Sequence, residues 1–212
     1  MPNLQCLRAA TDDLNAAALM GTGWRRALGA LARASDARHA VIMRNRPDRP
    51  VAAISNVEAA DAIRDYFAGR VPPNSRYRHV LLRPTDGFRV DHDDYTDDVL
   101  ARDPYYQEFL RPIGVFWHAN VRISSGSGEY VELSLKRDTR AGPYQREDAN
   151  LLNVILPELF AAARMAKIVF DAESRGMVRL LRRHGGPVIE LDGRGHVLAG
   201  QDHDAGAGTP PV

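Results

Sequence analysis

From His118 to Lys136 the apolar side chains fall on every second position. Ala119, Val121 and Ile123 alternate with His118, Asn120 and Arg122. Beyond Ser124-Ser125-Gly126-Ser127-Gly128, Val131, Leu133 and Leu135 alternate with Tyr130, Glu132, Ser134 and Lys136. A period of two on both sides of a Gly/Ser loop predicts a β-hairpin with one buried face. After Gly142-Pro143 the period changes. Leu152, Ile155, Leu159, Ala162, Ala166 and Val169 are spaced by threes and fours, which predicts one long helix reaching His184 and closed by Gly185-Gly186. Forty-odd helical residues span roughly 60 Å, twice the width of a small domain, so the far part is expected to need a partner. Pro157 lies inside this helix and should kink it. The portion up to Leu156 is expected to pack on the sheet. The portion from Glu158 to His184 is the expected dimer seam and output arm, through Leu159, Ala162, Ala166 and Val169.

The same reading places the other elements. Leu4, Leu7, Leu14 and Ala18 share a face, predicting a helix from Leu4 to Met20 that Gly21-Thr22-Gly23 ends. Thr22 is a candidate cap for a second helix with Trp24, Leu28 and Leu31 inward; Trp24 is read as a staple between the two helices. Ala40–Met43 and Val51–Ile54 flank a turn with two prolines and predict a hairpin. Asn56 is a candidate cap for a helix carrying Ile63, Tyr66 and Phe67. Arg83 to Asp98 reads as loop, Pro104 to Leu110 as a short helix stopped by Arg111-Pro112. Val188–Leu191 and His196–Leu198 flank Asp192-Gly193-Arg194-Gly195 as a last strand–turn–strand, and the tail from Gln201 reads as frayed. The order of elements predicts an α+β fold, an antiparallel sheet with helices mostly on one face.

Composition narrows the class. With 44% hydrophobic residues the chain can bury a core. A net charge of +1 gives no basic footprint for nucleic acid. Cys6 is the single cysteine, which excludes an internal disulfide framework or a cysteine-based zinc site and suits a reducing cytoplasm. No apolar run reaches the roughly 18 residues of a membrane span, and Met1-Pro2-Asn3-Leu4 does not open a signal peptide.

Catalytic chemistry is not expected. Asp91-His92-Asp93-Asp94 could bind a divalent cation, but the Gly-centred spacing and distal Glu of a calcium loop are missing, so a solvated acidic loop is the expectation. Ser124, Ser125 and Ser127 form no nucleophile elbow, and Gly126-Ser127-Gly128 lacks the Lys and helix of a phosphate cradle. Cys6 needs no role beyond packing. His39, His79, His118, His184 and His196 show no ligand spacing. Arg175, Arg179, Arg182 and Arg183 suit the negative end of the helix dipole. The aromatic residues Tyr66, Phe67, Tyr105, Tyr106, Phe109, Phe116 and Trp117 have two readings: plain core, or the lining of a pocket for a small apolar or aromatic molecule.

Several motifs in order carry a family resemblance. Asp103-Pro104-Tyr105-Tyr106-Gln107-Glu108-Phe109-Leu110-Arg111-Pro112-Ile113-Gly114 resembles the S-E-F-Y-x-E-F-L-R-P-x-G segment in the GAF-like sensory half of LuxR-type helix-turn-helix transcriptional regulators. Trp24 to Leu28 is similar to that family's W-x-x-A-L. Gly142-Pro143-Tyr144 and Leu151 to Leu159 are similar to its G-P-F and L-L-x-x-L-L-P-H-L patterns. Pro187 to Leu198 resembles the PAS-like connector that often comes next. Gln145 stands where the family has Asp or Ser, so the helix start should lack its good cap.

The resemblance implies a GAF/PAS-like antiparallel sheet flanked by helices, with a long C-terminal helix and a short PAS-like hairpin. It implies a sensory domain over residues 1–156, a linker and dimerisation helix over 157–184, and the start of a connector over 185–212. The family's DNA-binding module, opening L-T-x-R-E-x-E-V-L, is not found among these residues, so no direct nucleic-acid contact is expected. The implied protein is a cytoplasmic, cofactor-free homodimer, not an enzyme, sensing a small ligand and signalling to an attached DNA-binding module. A ligand-free dimerisation module stands as the alternative. More distant is a small metal-dependent enzyme using Asp91, His92 and Asp93.

Overall fold

The computed structural model describes residues 2–46, 50–56, 60–76, 87–126, 129–183, 190–191 and 197–199. The chain divides into two compact units, Met1–Lys167 and Ile168–Val212. Expectations for Ser127-Gly128, His79, Gly185-Gly186, the tail from Gln201 and the side chains of Arg175, Arg179, Arg182, Arg183, His184 and His196 lie outside the described residues.

In the first unit, α1 (Leu4–Met20) starts where the Asn3 side chain accepts from the Cys6 backbone N–H at 3.0 Å. It ends at Gly21, whose φ of 68° a residue with a Cβ adopts only at a cost. Thr22 does not cap α2 (Trp24–Ala34): Gly23 holds that position without a side-chain bond. Cys6 is exposed rather than packed. β1 (His39–Asn45) and β2 (Pro50–Ser55) make the expected hairpin, with Val41 opposite Ser55 and Met43 opposite Ala53. Asn56 does not serve α3 (Ala60–Phe67). Its amide accepts from Ala40 N and donates to Arg38 O, pinning the start of β1.

The stretch read as loop is structured in its described half. Arg89–Val90 form the edge strand β3, Asp91–Asp93 a 3-10 turn, and Asp97–Arg102 the helix α4, capped by the Thr96 hydroxyl. The next helix is a π-turn, Tyr105–Leu110, in which Arg111 N–H reaches back five residues to the Tyr106 carbonyl at 3.0 Å. β4 (Trp117–Gly126) and β5 (Glu129–Arg137) then form the long hairpin.

The strands make an antiparallel sheet in the order β2-β1-β5-β4-β3. Helices cover both of its faces rather than mostly one. On one face Ala119, Val121, Leu133 and Leu135 pack with Leu7, Leu28 and Leu31 of α1 and α2. On the other, α3, α4 and the π-turn bury a second cluster around Leu100, Tyr106, Leu110 and Phe116. The unbroken run Ala40-Val41-Ile42-Met43 fits this, because a strand covered on both sides does not alternate.

The long helix is two helices. α5 (Arg146–Asn153) and α6 (Leu156–Arg183) are separated by a turn at Val154 and Ile155. Pro157 therefore does not kink a helix interior; it is the second residue of α6, where its missing N–H has no intrahelical acceptor. At the start of α5 Gln145 gives no side-chain cap, and its own N–H donates to the Asp148 carboxylate at 3.0 Å. Leu152, Ile155 and Leu159 join the core.

Arg137, 4% exposed, ties these layers together. It donates to the Asp36 and Pro143 carbonyls, pairs with Asp148 at 3.1 Å, and stacks 3.7 Å above the Tyr144 ring.

In the second unit the remainder of α6 is succeeded by β6 (Glu190–Leu191) and β7 (Val197–Ala199), paired antiparallel as expected from the strand–turn–strand pattern.

Candidate functional site

The polar alternates of the sheet do not face water. His39, Val41 and Met43 of β1, Ala53 and Ser55 of β2 and Lys136 of β5 point to the side covered by α3 and the π-turn. Between them lies a cavity with about 630 Å³ of atom-free space, part of it open to solvent. Its roof among the described residues is Ala62, Ile63, Tyr66 and Phe67 of α3, Tyr105 and Phe109 of the π-turn, then Ile113 and Val115. Alanines at 53 and 62 leave the volume that larger side chains would fill.

A second, smaller compartment with a polar lining shares Met43, Tyr66, Tyr105 and Lys136 with the first. It adds Asn74, Arg76, His118, Glu132 and Ser134. Its wall is a buried network. Arg76 Nη1 donates to Asp91 at 2.6 Å and to the Tyr106 hydroxyl at 2.9 Å. The Tyr106 hydroxyl and the His118 backbone N–H each donate to the Asp91 carboxylate at 2.6 Å. Burial pushes the Asp91 carboxyl up, and Arg76, Tyr106 and His118 N–H pull against that. Burial also works against the Arg76 charge, but Tyr106, Asp91 and Glu132 outweigh it and hold the guanidinium protonated. Glu132, raised by burial, accepts from Asn120 Nδ2 at 2.9 Å.

Across three strands His39, Lys136 and His118 stand in register. Burial first, then nearby cations, push both imidazoles down, His39 to about 4 and His118 well below the usual range. His39 Nε2 and His118 Nδ1 are buried without a hydrogen-bond partner among the described residues. Lys136 is enclosed by protein yet borders open cavity, and burial together with Arg76 lowers it to about 8. The histidines make folding depend on pH. An unfolded histidine takes its proton near pH 6.5, whereas His39 in the fold resists to about 4. Through His39 the unfolded chain binds more protons in that window, a contribution to stability that falls as pH drops from about 6.5 towards about 4, while the raised carboxyls of Asp91 and Glu132 act in the opposite direction. Urea midpoints across the window should show the slope, and His39→Gln should flatten it. Equal slopes in the two proteins would contradict the assignment to His39.

The aromatic residues picked from the sequence come together. Tyr66 stacks on Phe109 with centroids 6.0 Å apart and meets Phe67 and Tyr105 edge-on or tilted. These four border the cavity. Tyr106 and Phe116 are buried behind it, and Trp117 packs on Phe116 and His92. Nothing in the local sequence pattern marks Arg76, Asp91, His118, Glu132 or Lys136 as part of a pocket.

The acidic run is not a solvated loop. Asp91 is buried, Asp93 pairs with Arg146 and accepts from Val90 N–H, Asp94 pairs with Arg89 at 2.5 Å, and His92 meets Asp97. Among the described residues no group of three or more His, Cys, Asp or Glu could hold a metal ion. Of the stripe on the C-terminal helix, Leu159 and Ala162 are buried within the chain, and Ala166 and Val169 are half-buried. Met165, Ile168 and Phe170 are exposed beside them. No helix of the described residues is long and apolar enough to cross a membrane.

No family model matches the sequence, and no curated protein does. Thirty-seven solved chains match by structure. One is the N-acylhomoserine lactone dependent LuxR-family transcription factor CepR2 from Burkholderia cenocepacia. The two are 21% identical, the match covers 76% of this chain and 92% of that one, and the TM-score is 0.53. SdiA in complex with octanoyl-rac-glycerol is 17% identical over 80% of this chain and 64% of its own, with a TM-score of 0.47. A crystal structure of Escherichia coli SdiA is 15% identical over 83% and 70%, with a TM-score of 0.46. The chain has the fold of the N-terminal sensory region of LuxR-type regulators, as the ordered motifs from Trp24 to Leu159 imply.

Proposed function

We propose that this chain is the signal-sensing region of a cytoplasmic LuxR-type transcriptional regulator, that it binds a small, largely apolar molecule, and that it is not an enzyme. The observation that carries the reading is the cavity between the outer sheet face and the α3/π-turn layer. Its lining joins apolar walls to a few convergent polar groups, the composition of a small-molecule site. The similarity in fold to a regulator described as N-acylhomoserine lactone dependent supports it.

The sheet suggests how occupancy is read out. On β5, Ser134 and Lys136 border the cavity, while Leu133 and Leu135 pack in the core that also holds Leu159 of α6. A ligand that favours one arrangement of β5 shifts the population of the packing around the start of α6. The GAF/PAS-like description, a sensory domain over 1–156, a linker and dimerisation helix over 157–184 and a connector beyond it belong to the same proposal. So does homodimerisation. Since Leu159 and Ala162 serve the chain's own core, we assign the seam to Ala166 and Val169 with the exposed Met165 and Ile168. Light scattering on the full chain decides that limb.

The ligand limb is tested by thermal unfolding with medium-chain N-acylhomoserine lactones, alkyl esters and aryl ketones. At 100 times its Kd a ligand stabilises by about 2.7 kcal/mol, roughly 5–10 °C for a chain of this size. Ala53→Trp fills the cavity from β2 and should abolish the shift while leaving the unfolding midpoint without ligand close to the parent's. An equal shift in Ala53→Trp would place binding elsewhere. No shift with any compound would leave the proposal without support.

A further inference from the structure

We propose that the cavity takes an amphipathic carboxylate, with its anionic head at Lys136 and its apolar body in the outer compartment. This deepens the reading of the site given above and rests on it. Lys136 lies where the two compartments meet, and it borders both. Among the described residues its ammonium makes no hydrogen bond and no ion pair. Glu132, on the same face of β5, accepts from Asn120 Nδ2 at Oε1 and favours the charged form of Lys136 without a direct ion pair to it. An ammonium has three donors and no acceptor, so it asks for an acceptor, best an anion, from whatever fills the cavity.

The neighbours of Lys136 fit that head. His39 on β1 and His118 on β4 flank it in register, about 4.8 Å away on either side in Cα spacing. Both imidazoles are neutral and each has a buried ring nitrogen without a partner among the described residues. A neutral imidazole can present its N–H at either nitrogen by choice of tautomer. His39 thus offers an adaptable N–H beside the ammonium, while His118 Nδ1 lies 3.8 Å from Asp91 Oδ1 on the wall side. Tyr66 and Tyr105 border both compartments from α3 and the π-turn, and burial pushes the Tyr105 hydroxyl well above its ordinary value. Arg76 uses Nη1 on Asp91 and Tyr106 and adds positive potential from the inner side.

Glu132 opposes an anion, and it sets the direction. It borders only the inner compartment, so a carboxylate is repelled from the deep end and held at Lys136, where the outer compartment begins. The body then lies against Val41, Ile63, Phe67, Phe109 and Ile113. A neutral head of the same size leaves the ammonium with Glu132 as its nearby negative charge and no charge-assisted bond of its own, and such bonds are about twice as strong as neutral ones.

Decanoate, methyl decanoate and decanol, each kept below micelle formation, separate this from simple apolar filling. With the full chain, calorimetry should show decanoate binding at least about tenfold more tightly than the ester or the alcohol. Lys136→Gln should bring the three to equal affinity, and Lys136→Arg should restore a preference for decanoate. Because Lys136 loses its proton around 8, decanoate affinity should fall between about pH 7 and about pH 9.5 while ester affinity stays level. Equal affinity of acid and ester for the parent, or a preference that survives Lys136→Gln, overturns the assignment of the head to Lys136 and leaves the apolar pocket standing. If no amphiphile binds, the pocket reading falls and this inference falls with it. Unfolding midpoints of both variants near the parent's show that any change in affinity is not a loss of fold.

Discussion

Asp91→Ala is expected to destabilise the chain by about 3–5 kcal/mol, the range for breaking a buried ion pair from one side. The substitution leaves three groups stranded at once. Arg76 keeps its charge with no counter-ion 2.6 Å away, the Tyr106 hydroxyl loses its acceptor, and the His118 backbone N–H loses its own. All three are buried, so water cannot replace the carboxylate without opening the wall. Urea unfolding gives the measurement, read as a change in midpoint at constant slope. The double variant Asp91→Ala with Arg76→Met should recover part of the loss, because the stranded charge is gone while the volume is kept. A loss under about 1 kcal/mol in the single variant would mean that the network is not what holds β3 and the π-turn against the sheet.

Arg137→Met should cost a similar amount, again about 3–5 kcal/mol. Methionine keeps the apolar stem but strands Asp148, which is left with the Gln145 N–H as its remaining donor among the described residues. It also removes the bonds to the Asp36 and Pro143 carbonyls and the stacking on Tyr144, itself worth about 1–2 kcal/mol when desolvated. Salt distinguishes this pair from a surface one. The Debye length falls to about 3 Å at 1 M, yet Arg137 is shielded from those ions. The cost of Arg137→Met should therefore be the same in low and high salt. The exposed pair Arg70 and Asp65 serves as the control, since its exposed geometry makes its contribution small and screened. A penalty for Arg137→Met that disappears at high salt would show that the arginine acts as a surface charge.

Local pattern carried much of the fold. Alternation on Ala119–Ile123 and Val131–Leu135 is enough for the β4–β5 hairpin, because burial on one face writes itself into every second residue. Gly21 marked its break for a reason internal to the backbone. What failed was set by residues far away in sequence. The acidic run from Asp91 reads as solvated when taken by itself. Its meaning changes with Arg76, 15 residues earlier, and with the amide of His118, 27 residues later. Alternation also cannot tell a face that meets water from one that borders a cavity. His39, His118, Glu132 and Lys136 look the same in either case, so the polar wall of the cavity was invisible, whereas four of the seven aromatic residues named from the sequence border it. Pro157 was legible as a break but misplaced, because a proline that starts a helix and one that bends it leave the same mark in a sequence.

The π-turn at Tyr105–Leu110 gives the site a setting that the sheet cannot offer. A π-turn is an α-helix holding one extra residue. It lets the adjacent Tyr105 and Tyr106 divide their roles, one ring on the cavity and the other on Asp91. Losing one residue here would return the turn to ordinary helical spacing and rotate the residues after it by about 100° about the axis. Phe109 would leave the roof, while the strands beneath kept their register. A one-residue slip within β1 or β5 would instead turn the whole strand over. Insertion and deletion in the π-turn are thus the cheap route by which chains of this fold can change the shape of the chamber without rebuilding its floor.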